Sequence, residues 1–199
     1  MKIVVLDYGS GNLRSAERAL ARVGADVIVT SDLHAAREAD GLVVPGVGAY
    51  AACMEGIDAI GAGGVVRDRV AAGRPVLGIC VGMQVLFDSG DEHGVVTNGL
   101  GVLPGEVRRL AAPILPHMGW NTVAPAGGST LFAGLDRETR FYFVHSYAAT
   151  GTEGAVSTAE HGETFAAAVE AGPVAATQFH PEKSGDPGAA VLRNWLGTL

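Results

Sequence analysis

One cysteine stands between an apolar strand pattern and an apolar helical pattern in Pro75-Val-Leu-Gly-Ile-Cys80-Val-Gly-Met-Gln84-Val-Leu-Phe87. A nucleophile on a sharp strand-to-helix turn, with glycine two residues to either side, is the arrangement of G-x-S-x-G hydrolases with Cys in place of Ser. Gly78 and Gly82 leave room for the turn and for close packing of the helix. Such a turn puts Cys80 at a helix N-terminus, where exposed N–H groups and the helix dipole favour a thiolate. The N–H of Val81 would then face the oxyanion of a tetrahedral intermediate. A buried cysteine in a tight turn would look the same, so the reading depends on a partner base.

Of the six histidines, His180 has the right neighbours. It ends the apolar run Val174 to Phe179 and is followed by Pro181-Glu182. Proline holds its predecessor out of the helical region, and residues two apart in an extended segment point to one side. That spacing brings the Glu182 carboxylate to the His180 ring, where it could orient the imidazole and stabilise its charge. Alone, the segment is equally a strand-end His-Pro turn with a solvated Glu. Together with Cys80, a Cys–His–Glu triad is the better explanation. His117 and His145 have no carboxylate nearby in sequence, and Cys53, in Ala51-Ala52-Cys53-Met54, reads as core. No His or Cys spacing resembles a zinc site, so neither metal nor cofactor is expected.

Two glycine loops invite comparison with dinucleotide-binding turns. Gly9-Ser10-Gly11-Asn12-Leu13-Arg14 ends in Arg where the fingerprint needs Gly. Gly46-Val47-Gly48-Ala49-Tyr50-Ala51 fits the spacing, but follows the third strand and is led by Pro45. Its other reading is a loop whose backbone N–H completes an oxyanion hole beside Cys80, with glycine permitting an uncommon peptide conformation.

The elements that must position these groups follow from periodicity. Ile3 to Leu6 reads as a strand, then Leu13, Ala16, Leu20 and Val23 recur at helical spacing after the turn Gly9 to Asn12. A strand at Val27 to Thr30, a short Ala/Glu/Arg helix, a strand at Leu42 to Val44, helical segments through Ala72 and a strand at Val76 to Ile79 complete the alternation. This predicts an α/β fold with a parallel central sheet and helices on both faces. Segments 106–110, 141–148, 154–159, 165–170 and 174–179 read as further strands, some antiparallel, added to the same sheet before a helix at Ala189 to Leu196.

At 199 residues, one domain over 1–199 is expected, with no room for a second full domain. A hydrophobic fraction of 48% excludes disorder, and a net charge of −7 argues against binding to a phosphate backbone. Two cysteines cannot form a disulfide framework, and the N-terminal apolar run is too short for a signal peptide, so a soluble cytoplasmic protein is expected, with no membrane or nucleic-acid partner. Lys2 and Lys183 are the only lysines among 14 basic residues, which singles out Lys183 beside the proposed carboxylate.

Gly78-Ile-Cys80-Val-Gly-Met-Gln84, Pro45-Gly-Val-Gly48 and Phe179-His180-Pro-Glu182-Lys-Ser184 together resemble the class I, or triad, glutamine amidotransferases. The resemblance spans essentially the whole chain. Asp7 to Asn12, Pro116-His117-Met118-Gly119-Trp120-Asn121, Tyr142 to Tyr147 and His180 to Ser184 further resemble one subfamily, the glutaminase subunits of imidazole glycerol phosphate synthase. It implies a class I amidotransferase fold in which Cys80 attacks the amide of L-glutamine, with oxyanion donors at Val81 and at Val47 or Gly48. It also implies that Gln84, Glu92 and the backbone around His145, Ser146 and Tyr147 grip glutamine, and that Asn12, Trp120, Tyr142 and Lys183 lie at a partner interface. The implied partner is a (β/α)8-barrel synthase that uses the ammonia to make imidazole glycerol phosphate and aminoimidazole carboxamide ribonucleotide in histidine biosynthesis. Other readings are the glutaminase of a different amidotransferase, such as pyridoxal phosphate synthase, a stand-alone cysteine hydrolase and a catalytically silent scaffold.

Overall fold

The computed structural model describes residues 1–150 and 155–199. Its first half follows the expected alternation: β1 (Lys2–Leu6), α1 (Leu13–Arg22), β2 (Asp26–Thr30), α2 (Leu33–Glu38), β3 (Gly41–Gly46), α3 (Tyr50–Ala59), α4 (Ala62–Ala71) and β4 (Val76–Cys80). Apolar runs without alternation suit strands covered on both faces, and every residue of β3 and β4 is buried. On α1 the helical spacing turns Ala16 and Leu20 into the core. The fully buried Arg69 of α4 donates to the carbonyls of Ala36, Arg37, Ala39, Asp40 and Pro75, satisfying backbone groups where β3 and β4 begin.

After β4 come α5 (Val81–Gln84), β5 (Ser89–Glu92), β6 (Val95–Asn98), β7 (Glu106–Arg109), β8 (His117–Thr122), β9 (Arg140–His145) and β10 (Tyr147–Ala149). Then follow β11 (Ala155–His161), β12 (Glu163–Ala171), β13 (Val174–Thr177), a 3-10 turn at Pro181–Lys183 and α6 (Gly185–Leu196). The main sheet has the order β11-β12-β13-β4-β3-β1-β2. Its pairings from β13 through β2 are parallel, and the β11–β12 and β12–β13 pairings are antiparallel. The parallel sheet extended by antiparallel strands is thus as expected.

Two details differ. The strands near 106–110 and 141–148 do not join the main sheet: β7 and β10 build a second sheet, β10-β7-β5-β6, and β9 pairs with β8 as a separate two-stranded ribbon. The 141–148 run breaks at Ser146, which separates the two sheets. The helix after Cys80 is a single turn, because Leu86 and Phe87 donate three residues back, to Met83 and Gln84, tightening the chain into turns. Of the expected strand 154–159, residue 154 lies outside the described residues and β11 begins at Ala155.

β4 lies between β3 and β13, with Gly46 paired to Cys80 and Thr177 paired to Ile79. The carboxyl ends of three adjacent parallel strands therefore deliver the Val47–Gly48 loop, Cys80 and the segment leading to His180 to one place, the end at which open α/β sheets bind ligands.

Candidate active site

Cys80 occupies φ 56°, ψ −115°, a region that L-residues rarely adopt and that costs about 1–3 kcal/mol. Strand pairing on both sides of β4 and close packing of the following turn hold it there. A Cβ on Gly82 would fall onto the carbonyl oxygen of Val44, and one on Gly78 would come within 2.8 Å of the Gly82 carbonyl oxygen. Both flanking glycines are thus required by contact, and the turn directs the Cys80 side chain out of the sheet into a cavity.

His180 follows β13 in extended conformation, with its N–H on the Tyr142 carbonyl at 2.9 Å and its own carbonyl accepting from Ser184 Oγ at 2.7 Å. Glu182 reaches the ring by a different route from the extended one expected. Pro181–Lys183 forms a 3-10 turn, for which the fixed φ of proline is suited as the first residue, and Lys183 N–H donates to the His180 carbonyl. His180 Nδ1 and Glu182 Oε1 lie 2.7 Å apart, with side chains 2% and 3% exposed. Nε2 of His180 is buried without a partner among the described residues. Burial disfavours the imidazolium, but the Cys80 sulfur and the Glu182 carboxylate outweigh it and push His180 up to about 9. His180 therefore keeps its proton at neutral pH, the form that stabilises a neighbouring thiolate.

A cavity of about 320 Å³ opens over this pair. Val47, Gly48, Cys80, Val81, Gln84 and Glu92 line one part of it; Val144, His145, Ser146, Tyr147, His180 and the exposed Lys183 line the rest. Glu92 Oε2 also accepts the N–H of Tyr50, the first residue of α3, at 2.8 Å. A larger cavity of about 480 Å³ lies at the opposite, amino-terminal end of the sheet beside Pro75 and Pro173 and contains neither cysteine nor histidine.

Val47 differs from the expected oxyanion donor. Its N–H donates to Ser10 Oγ at 3.2 Å, and its carbonyl accepts from the same hydroxyl at 2.8 Å and from the Cys53 thiol at 3.4 Å. The Val47 N–H is engaged by the Ser10 loop in this conformation and is not offered to the cavity. Cys53 is core, as expected, with this added contact.

His117 and His145, set aside as bases, bond to one another at 3.0 Å. Sequence reasoning missed Gln178, a fully buried amide two residues before His180 whose Nε2 lies 3.8 Å from Cys80 Sγ. A primary amide at the buried end of an apolar strand was the available signal.

The other expected residues lie nearby on the surface. Trp120 is 54% exposed and packs edge-on against the half-buried Tyr142 opposite it. Met118, two positions away on the same face of β8, is 66% exposed. Asn12 precedes α1 and lines a small crevice with His180 and Glu182.

A cysteine on a strained strand-to-helix turn and a carboxylate-bound histidine lining the same cavity are the arrangement of a cysteine-dependent hydrolase. Residues 4–198 match the family model described as glutamine amidotransferase class-I, and the chain belongs to that family. It is similar to the imidazole glycerol phosphate synthase subunit HisH of Mycolicibacterium paratuberculosis, with 64% identity over 201 residues covering 99% of this chain and 98% of that protein. The protein of the same name from Thermobifida fusca is 59% identical over 208 residues, covering 100% and 99%. Among solved structures, one described as a glutamine amidotransferase superposes with TM-score 0.77 at 23% identity, covering 99% of both chains. A glutamine amidotransferase from Thermotoga maritima gives 0.68 at 14%, covering 100% of this chain and 97% of that one. At such identities these structures speak for the fold alone. No described helix is long and apolar enough to cross a membrane.

Proposed function

We propose that this chain is the glutaminase subunit of an imidazole glycerol phosphate synthase, a cytoplasmic enzyme of histidine biosynthesis. The observation that carries the chemistry is the 2.7 Å contact of His180 with Glu182, both buried, in a cavity that His180 and Cys80 line together, with the Cys80 sulfur and the Glu182 carboxylate both favouring the imidazolium. The Cys80 thiolate attacks the side-chain amide carbon of L-glutamine, and the Val81 N–H, joined by a donor from the Val47–Gly48 loop, holds the oxyanion. Protonated His180 gives its proton to the departing ammonia, leaving a γ-glutamyl thioester. Neutral His180 then takes a proton from water, which attacks the thioester and releases glutamate. Glu182 keeps the imidazole oriented throughout. Gln84, Glu92 and the backbone at His145, Ser146 and Tyr147 hold the substrate.

Ammonia is a nucleophile only while unprotonated, so its release is useful when an acceptor site is joined to the glutaminase. Full-length similarity to proteins named as synthase subunits supports the cyclase subunit as that acceptor. We assign it a (β/α)8-barrel fold and place Asn12, Trp120, Tyr142 and Lys183 against it. The test is glutamate formation from glutamine by the chain alone and after addition of the cyclase subunit with its nucleotide. Slow hydrolysis that accelerates on addition supports the reading; fast hydrolysis of esters or peptides by the chain alone, with none of glutamine, overturns it.

A further inference from the structure

A hydrogen-bond chain of fixed sense runs through the interior to the nucleophile. The carbonyl oxygen of Tyr147 can only accept, so both side chains that meet it donate: Gln84 from Nε2 at 2.8 Å and His145 from Nδ1 at 2.9 Å. His145 Nε2 must then accept, and it does so from Nδ1 of His117 at 3.0 Å. Burial holds both imidazoles down, His145 to about 3 and His117 to about 4, so the rings are neutral and this sense of donation persists at neutral pH.

The sense carries on toward the sulfur. With one N–H on Tyr147, Gln84 gives its other to Gln178 Oε1 at 3.0 Å. Gln178 thus has its oxygen occupied and its Nε2 turned to Cys80 Sγ at 3.8 Å. Its backbone is fixed by an N–H bond to the Ala167 carbonyl at 2.8 Å. Filling this space needs no amide, because an apolar side chain of similar length would do so without a buried polar group to satisfy. A donor aimed at sulfur is instead what a thiolate requires.

We propose that Gln178 is a positioning residue for Cys80: aligned by Gln84, its amide N–H stabilises the thiolate and fixes the direction of the sulfur. Its consequence for turnover rests on the glutaminase reading above, but the thiolate itself can be measured without glutamine. The titratable groups facing Cys80 are His180 with Glu182 behind it, Tyr8 two residues past β1, and, around the cavity, His145, Tyr147, Glu92 and Lys183. None of these is altered by a change at Gln178.

The experiment is the pH dependence of Cys80 alkylation by iodoacetamide in the intact chain. It is read by peptide mass spectrometry so that Cys53 is scored separately, for the wild type and Gln178→Met. Methionine fills the same volume without an N–H. The alkylation midpoint is expected to rise by about one pH unit, with the limiting rate at high pH retained. In the complex with the cyclase subunit, the acid limb of kcat/KM for glutamine is expected to move upward by the same amount. A lowered melting temperature with an unmoved midpoint would mean that Gln178 only packs, and would overturn the proposal. Should Gln178→Met not fold, the midpoint in Gln84→Leu, which releases the Gln178 amide without altering it, decides in the same way. If the wild-type complex hydrolyses no glutamine while the midpoint still moves, the functional reading fails and the role of Gln178 stands.

Discussion

One hydroxyl, that of Ser10, engages both polar ends of Val47: it accepts from the Val47 N–H at 3.2 Å and donates to the Val47 carbonyl at 2.8 Å. Val47 follows the residue that pairs with Cys80 across β3 and β4, so its peptide borders the proposed nucleophile. Presenting this N–H to an oxyanion requires breaking contacts worth about 1 kcal/mol each. Ser10→Ala is therefore expected to raise glutamine hydrolysis by the isolated chain by up to about tenfold and to narrow the gap between rates with and without the cyclase subunit. An unchanged basal rate would make Ser10 an anchor of its loop and nothing more.

Cys80→Ala separates generation of ammonia from its use. Glutamine-dependent synthesis by the complex should fall to background, while synthesis from added ammonium salts stays within about twofold of the wild type. Equal loss of both activities would count against the division of labour between subunits.

Glu182→Gln tests the electrostatics of the buried pair. His180 is raised against the effect of burial by Cys80 and by Glu182, and the substitution removes the second of these. Its pKa must then fall, so the imidazolium is lost at lower pH and the alkaline limb of kcat/KM moves down from near 9. The acid limb should rise in turn, since the thiolate loses part of its counter-charge. A pH profile of unchanged width would mean that Glu182 only orients the ring.

Gly82→Ala places a methyl on the Val44 carbonyl, a backbone atom that cannot yield without shifting β3. About 3 kcal/mol of destabilisation is expected. For a chain of this size that corresponds to a melting point lower by roughly 6–12 °C. Glutaminase activity should fall further than stability, because the same turn sets the Cys80 backbone. A melting point like that of the wild type would show that the turn has more slack than its packing implies.

What was legible in the sequence had local causes. β1, β3 and β4 stand out as apolar runs because both faces of a parallel sheet are covered, and Cys80 stands out because its turn needs glycine within two residues on each side. His180 and Glu182 are legible because the whole pair lies within three residues, although the backbone joining them is a turn and not extended chain. The second sheet was not legible: Ser89–Glu92 is short and polar, and its partners are chosen by tertiary pairing with β6 and β7. The Ser10–Val47 and Gln84–Gln178 bonds join residues 37 and 94 positions apart, and no spacing rule reaches so far.

Trp120 tests the docking surface. Its indole is half exposed on the two-stranded ribbon, beside Met118 on the same face and against Tyr142 on the neighbouring strand, an arrangement that leaves a large apolar side chain in water in the free chain. Aromatic side chains buried at the centre of an interface commonly contribute about 2 kcal/mol or more, equivalent to roughly 30-fold in affinity. Trp120→Ala is expected to weaken binding of the cyclase subunit by about that factor in calorimetric titration. The chain should still fold, since a side chain so exposed contributes little to the core. At saturating cyclase the variant should recover glutamine-dependent synthesis, because the defect lies in association and not at Cys80. Unchanged affinity would move the docking surface away from β8 and leave Trp120 an exposed aromatic with no partner.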